Sequence, residues 1–260
     1  MIVTRELKSS ERRRNPRDDL AKAVGSNAIQ ASNAGSRMMQ LDSDVMSSGN
    51  RATARSALYR LLADSYNFPT SDFCESVASG EFFATVQGIL TALPHLKIGE
   101  SLQDNLRGVA NDLEQFAAEY IRLFDLGSGR GRPPCTLYGG EYVSRPRLEV
   151  MEELVRFYGY FDLALSEQDR ELPDHLSVEL EFLHYLAFRE SHALEVNADP
   201  SSYQRAQADF IERHPGQWMP MLRAKLETQK PLPFFAGLVT LTTEVLRADL
   251  GYLRSIVGKP

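Results

Sequence analysis

From about residue 52 onward the large apolar residues recur at helical spacing, and no stretch of useful length alternates as a half-buried strand must. That pattern restricts the chain to an all-α body. It is clearest over 101–124, where Leu102, Leu106, Val109, Leu113, Phe116, Tyr120 and Leu123 follow at spacings of three and four, the stripe of a helix that buries one face. Ser101 with Asp104 gives that segment a capping-box-like start. The same reading predicts helices over 53–66 (Leu58, Leu61, Leu62 and Tyr66, ended by Pro69), 71–79 and 81–93 (closed by Pro94). Ser144 and Pro146 open a helix to Tyr160 with Leu148, Met151, Leu154, Val155 and Tyr158 inward. Further helices are expected over 174–195 (Leu176, Leu180, Leu183 and Ala187 inward), 201–213, 216–229 and 234–256, with 127–134 and 162–173 as loops. The sum is a single-domain multi-helix bundle of about eight to nine helices.

Composition matters chiefly where it is uneven. All 24 aromatic residues lie after Asn50, and the Ser-, Asn-, Ala- and Arg-rich leading segment has few large apolar residues. Such a segment buries too little surface to offset its ordering entropy, so 1–50 is expected to be disordered and 51–260 to form the helical domain. Residues 1–50 hold 8 Lys and Arg against 6 Asp and Glu, and the remainder 21 against 29, a balance of +2 on the tail and −8 on the body. An acidic body argues against nucleic acid and suits a cationic peptide. Arg12-Arg13-Arg14 resembles a twin-arginine export signal, but Asn15-Pro16-Arg17-Asp18-Asp19 stands where an apolar stretch would follow. No run has the roughly 18 apolar residues of a membrane span. Cys74 and Cys135 lack the spacing of a zinc site or a disulfide framework. These features lead to the expectation of a soluble, cytoplasmic, non-exported protein without membrane insertion.

Chemistry-bearing residues concentrate in Glu171-Leu172-Pro173-Asp174-His175 and the helix that follows. Asp174 stands where a side chain caps free amides, and His175 and Glu179, four apart, place a carboxylate beside an imidazole. A helix-capping ion-paired cluster and a recognition surface both fit that spacing. Glu181 and His184 have the Glu-x-x-His spacing of carboxylate-bridged metal pairs, though no other histidine follows a Glu by three. A ferritin-like metal-dependent enzyme using Glu181, His184, His175 and Glu179 is therefore the alternative reading. The glycines of 127–132 lack the preceding strand and the Gly-Lys-Ser/Thr ending of a phosphate loop. No Gly-x-Ser-x-Gly is present, neither cysteine has a base beside it, and no catalytic residue, metal or cofactor is assigned. In Tyr138-Gly139-Gly140-Glu141-Tyr142, two glycines leave room for a ligand backbone. With Phe157, Tyr158, Tyr160 and Phe161, this suggests an apolar groove with a negative rim, suited to an Arg-bearing peptide.

One ordered set of motifs carries a family resemblance. Tyr120-Ile121-Arg122-Leu123-Phe124, the Gly-rich loop with Pro133-Pro134, Leu137-Tyr138-Gly139-Gly140-Glu141-Tyr142-Val143, and Glu171-Leu172-Pro173-Asp174-His175 with Glu179-Leu180-Glu181-Phe182-Leu183 resemble the TorD/DmsD/NarJ family of redox-enzyme maturation chaperones. Within it the chain is most similar to chaperones of type II DMSO-reductase-family molybdoenzymes, over roughly residues 55–255. The resemblance implies an all-helical, non-catalytic protein that binds the apo catalytic subunit of a molybdopterin-containing oxidoreductase, often at its twin-arginine leader, before cofactor insertion and export. It implies partner binding by Glu171, Leu172, Pro173, Asp174 and His175, with Glu179, Tyr138, Glu141 and Tyr142 as further candidates. Cys135-Thr136-Leu137 follows Pro134 where leader-binding relatives often carry a Trp, and the single Trp of this chain is Trp218.

Overall fold

A computed structural model describes residues 2–4, 31–107, 112–125, 131–166 and 171–258. Ten α-helices make up almost all of it: α1 (Ala31–Ser65), α2 (Ser71–Ala78), α3 (Glu81–Leu90), α4 (Glu100–Leu106), α5 (Leu113–Phe124), α6 (Arg147–Tyr160), α7 (Leu176–Glu195), α8 (Ser201–Arg213), α9 (Pro215–Thr228) and α10 (Pro233–Val257). A 3₁₀ turn, Gly139–Glu141, and two short strands, β1 (Ile2–Thr4) and β2 (Leu163–Leu165), complete the described elements. The all-α expectation holds.

Helices α1 and α7 pack side by side and form the spine of the bundle. Leu58, Tyr59 and Leu62 of α1, Tyr66 just past its end, and Leu176, Leu180, Leu183 and Leu186 of α7 are all buried. Twelve of the twenty residues of α7 are buried, the charged Glu179 and Glu190 among them. α10 packs on α4, α8 and α9, and α8 packs on α7. Phe234 and Phe235 at the start of α10 meet Phe116, with ring centroids 5.3 and 4.7 Å apart, and close that end of the core.

Several expectations change. The stripe over 101–124 belongs to two helices, because Asp112 accepts a hydrogen bond from the Glu114 N–H and starts α5 afresh. Val109 lies outside the described residues, and Leu113 is partly exposed. α4 starts at Glu100 on Gly99, without the expected Ser101 side-chain cap. In α6, Val150, Leu154 and Tyr158 face the core, while Leu148 is 63% and Val155 46% exposed. Leu148 and Val155, seven residues apart, instead form an outward apolar stripe with Met151. Helix α1 also reaches back to Ala31, twenty residues into the segment whose composition predicts little order. Ile2, Val3 and Thr4 pair antiparallel with Leu165, Ala164 and Leu163, inside the expected loop 162–173. Most of the glycine-rich run, 126–130, lies outside the described residues, as do 167–170.

Candidate functional site

The two motif segments, some 35 residues apart in sequence, form one interlocked unit at the N-terminus of α7. The Leu176 N–H donates to the Leu137 carbonyl and the Gly139 N–H to the Asp174 carbonyl, both at 2.8 Å, so the loop before α6 is paired with the loop before α7. Asp174 joins them through its side chain. Its carboxylate takes two hydrogen bonds from Arg147, at 2.8 and 3.0 Å, and one from the Gly140 N–H at 3.2 Å. The Arg147 guanidinium also lies over the Tyr138 ring, 4.7 Å from its centroid. Tyr138 donates to Glu171 at 2.8 Å, and Tyr158 of α6 donates to the Pro173 carbonyl at 2.8 Å.

The cap of α7 is His175. Its Nδ1 accepts from the Ser177 N–H and lies 2.8 Å from the Ser177 hydroxyl. An imidazole can accept there only when that nitrogen is unprotonated. Burial, against the opposing pull of Glu171 and Asp174, lowers the proton affinity of His175 and keeps it neutral.

One turn on, Glu179 accepts from the indole N–H of Trp218 in α9 at 3.0 Å. Its other carboxylate oxygen is buried without a hydrogen-bond partner. Burial, with Asp174 adding to it and the Trp218 bond opposing, pushes the Glu179 carboxyl well above the ordinary carboxylate range, so it is held protonated. Trp218 stacks on Tyr142, centroids 5.4 Å apart and planes 15° from parallel. A Cβ on Gly139 would stand 2.5 Å from the Trp218 ring nitrogen, and one on Gly140 would stand 2.5 Å from Arg147 Cγ. The paired glycines therefore admit Trp218 and Arg147 rather than a ligand backbone.

The sequence-predicted residues divide accordingly. The expected solvated acidic rim is corrected: Asp174, His175, Glu179 and Pro173 are buried, because Asp174, Glu179 and the Pro173 carbonyl each tie two elements together and His175 caps its own helix. Asp174 pairs with Arg147 rather than capping α7, and Glu179 meets Trp218 rather than His175. Glu171, Tyr138, Glu141 and Tyr142 are half-buried, and Leu172 is 40% exposed. Glu141 pairs with Arg132 at 2.5 Å. Arg147 and Trp218 were not singled out as site residues by the spacing. Trp218 had a signal in being the one tryptophan, but its partner lies 39 positions away.

The ferritin-like alternative is not assembled. Glu179 and His175 bond as described, His184 Nδ1 lies 2.9 Å from the Ser56 hydroxyl, and Glu181 approaches Arg60 at 3.9 Å, so the four residues turn to separate partners. Among the described residues no group of three or more His, Cys, Asp or Glu could hold a metal ion, and no helix is long and apolar enough to cross a membrane.

Fold and motifs together define a helical bundle whose two motif loops are locked to each other at the start of α7. The chain belongs to the TorD/DmsD/NarJ family of redox-enzyme maturation chaperones, and the nitrate reductase delta subunit family matches residues 93–224. It is 31% identical to the perchlorate reductase assembly chaperone of Dechloromonas aromatica, over 80% of this chain and 94% of that protein. The selenate reductase assembly chaperone of Thauera selenatis is 43% identical over 44% of this chain and 58% of its own length. The dimethyl sulfide dehydrogenase assembly chaperone of Rhodovulum sulfidophilum is 30% identical over 75% of this chain and 78% of that protein.

Proposed function

We propose that this protein is the dedicated cytoplasmic assembly chaperone of a molybdenum-cofactor oxidoreductase, binding its apo catalytic subunit until the cofactor is inserted and export can begin. The observation that carries this reading is the relationship, over nearly the whole of that protein, to the perchlorate reductase assembly chaperone. The names of the selenate reductase and dimethyl sulfide dehydrogenase relatives point the same way. Partner contact falls to the members of the predicted site that reach solvent, Glu171, Leu172, Tyr138, Glu141 and Tyr142. Pro173, Asp174, His175 and Glu179 act from beneath, fixing the loop that presents Leu172. The −8 body speeds encounter with an Arg-bearing leader, and the exposed apolar side chains lengthen residence.

The test is affinity capture of the tagged chain from its native host, with the bound proteins identified by mass spectrometry. The catalytic subunit of a molybdoenzyme is the expected partner, and its absence from repeated captures sinks the reading. Leu172→Glu should reduce capture by about tenfold, the effect of one contact residue at the centre of an interface, with an unchanged melting temperature. Replacing the paired arginines of the client's leader by lysine separates leader binding from binding of the mature part.

A further inference from the structure

The described sheet has only two strands, and they differ in kind. β2 leads from α6 toward the Glu171–His175 loop and packs on α6, with Leu163 buried. β1 comes from the other end of the chain, pairs with β2 over Ile2–Leu165, Val3–Ala164 and Thr4–Leu163, and also touches α7. β1 thus fills a slot between β2 and α7, a few residues ahead of the proposed partner loop. Three paired residues make a weak ladder, since an isolated two-stranded ribbon is marginal in water. A connection of 26 residues, Arg5 to Gln30, separates β1 from α1. β1 belongs to the same chain as the edge it covers, so any competing peptide has to displace an intramolecular strand.

We propose that the edge of β2 is a strand-addition site for an extended peptide, occupied by the chain's own Ile2–Thr4 until a client segment displaces it. The present occupant defines the chemistry of the ligand. Ile2, Val3 and Thr4 are all β-branched, the residue type that best suits a pleated backbone, so the competitor is an extended stretch rich in Ile, Val or Thr. Recognition runs through main-chain hydrogen bonds to Leu163–Leu165, which tolerate sequence variation and require an unfolded segment. Such a segment is available on a subunit that has not finished folding. Self-occupancy also covers a sheet edge that would otherwise pair with any exposed strand. In naming a client segment as the competitor, the inference rests on the chaperone reading above.

The probe is a synthetic peptide copying residues 1–9 of this chain with a fluorophore at its C-terminus, and the readout is fluorescence anisotropy against the full-length protein. Val3→Pro removes an N–H and disfavours the paired strand, opening the slot. The probe should bind the Val3→Pro protein at least about tenfold more tightly than the parent, from which it must displace a tethered strand. The same probe with Ile2, Val3 and Thr4 all N-methylated, which blocks whichever N–H groups the antiparallel ladder uses, should not bind. Deleting Ile2–Thr4 from the full chain should reproduce the gain, which covers a failure of Val3→Pro to fold. Equal binding to parent and variants, no binding to any of them, or undiminished binding of the N-methylated probe overturns the strand-addition site. In parallel, captures from the native host separate the two ideas. More client on Val3→Pro than on the parent supports displacement, and equal client on both refutes it while leaving the chaperone reading intact. No client on either refutes the chaperone reading, and the probe result then stands alone.

Discussion

Glu179 illustrates how burial changes the meaning of a side chain. Burial, with one oxygen left without a partner, stabilises the neutral acid against the opposing Trp218 bond to the other oxygen. Because its folded proton affinity is raised above the unfolded value, the folded state holds an extra proton at neutral pH. That stability is complete below the unfolded pKa of about 4.3 and is lost as pH climbs toward the raised folded value. Glu179→Gln keeps the acceptor for Trp218 and removes the titration. The variant should melt higher than the parent at pH 7, and its melting temperature should fall less from about pH 5 to about pH 8. A thermal-melt series across that range checks both, and an identical pH dependence in variant and parent would show that burial does not raise the proton affinity of Glu179. The Asp174–Arg147 pair sits beside it as the polar contact that ties the loop before α7 to the start of α6.

At the scale of elements, the junction between α8 and α9 carries its own titratable group. His214 stands between the two helices, edge-on to Phe157 at 5.3 Å and tilted against Phe210 at 5.0 Å. Burial, helped by Arg213 and Arg145 and opposed by Glu153, lowers it from 6.5 to about 4. It is therefore neutral at physiological pH, and its approach to Glu153 at 3.8 Å is not an ion pair there. The unfolded chain binds the proton more readily, so stability drops as pH falls from 6.5 toward 4. His214→Phe preserves the ring packing, and its unfolding free energy should be flatter across that window, measured by urea titration at several pH values. An unchanged slope would assign the acid sensitivity elsewhere. Element positions were legible because each helix keeps a stripe of period 3.6. The division of 101–124 was not, since the stripe runs on in phase across the break and only the Asp112 cap marks a new start. In α6, spacing left out the buried Val150, because two apolar stripes share the helix and spacing cannot say which one meets the core.

For the whole molecule the decisive residue is Arg55. Fully buried in α1, it donates to Asp249 of α10 at 2.8 Å, to Glu190 of α7 at 2.8 Å and to Gln207 of α8 at 2.5 Å. Tyr59 donates to Asp249 at 2.7 Å, and His95 Nε2 lies 2.8 Å from the other oxygen of Asp249. One guanidinium thus fixes the relative register of four helices. Burial opposes its charge, and Asp249 and Glu190 outweigh that effect. Arg55→Ala leaves buried carboxylates without their partner and should cost about 3–5 kcal/mol, seen as a lower chemical-denaturation midpoint. A loss under about 1 kcal/mol would mean that water or relaxation replaces the arginine.

The sequence by itself determined the all-α class, most helix positions, the family and the segments that form the motif unit, because periodicity and ordered motifs are local properties of a chain. Only the tertiary structure decided which motif residues face solvent. Asp174 turns inward because Arg147 is waiting for it, Glu179 is neutral because Trp218 and the surrounding core exclude water, and Leu172 is left outside by the bonds its neighbours make. Burial and charge state depend on partners from 27 to 194 positions away. No spacing rule along one chain specifies them.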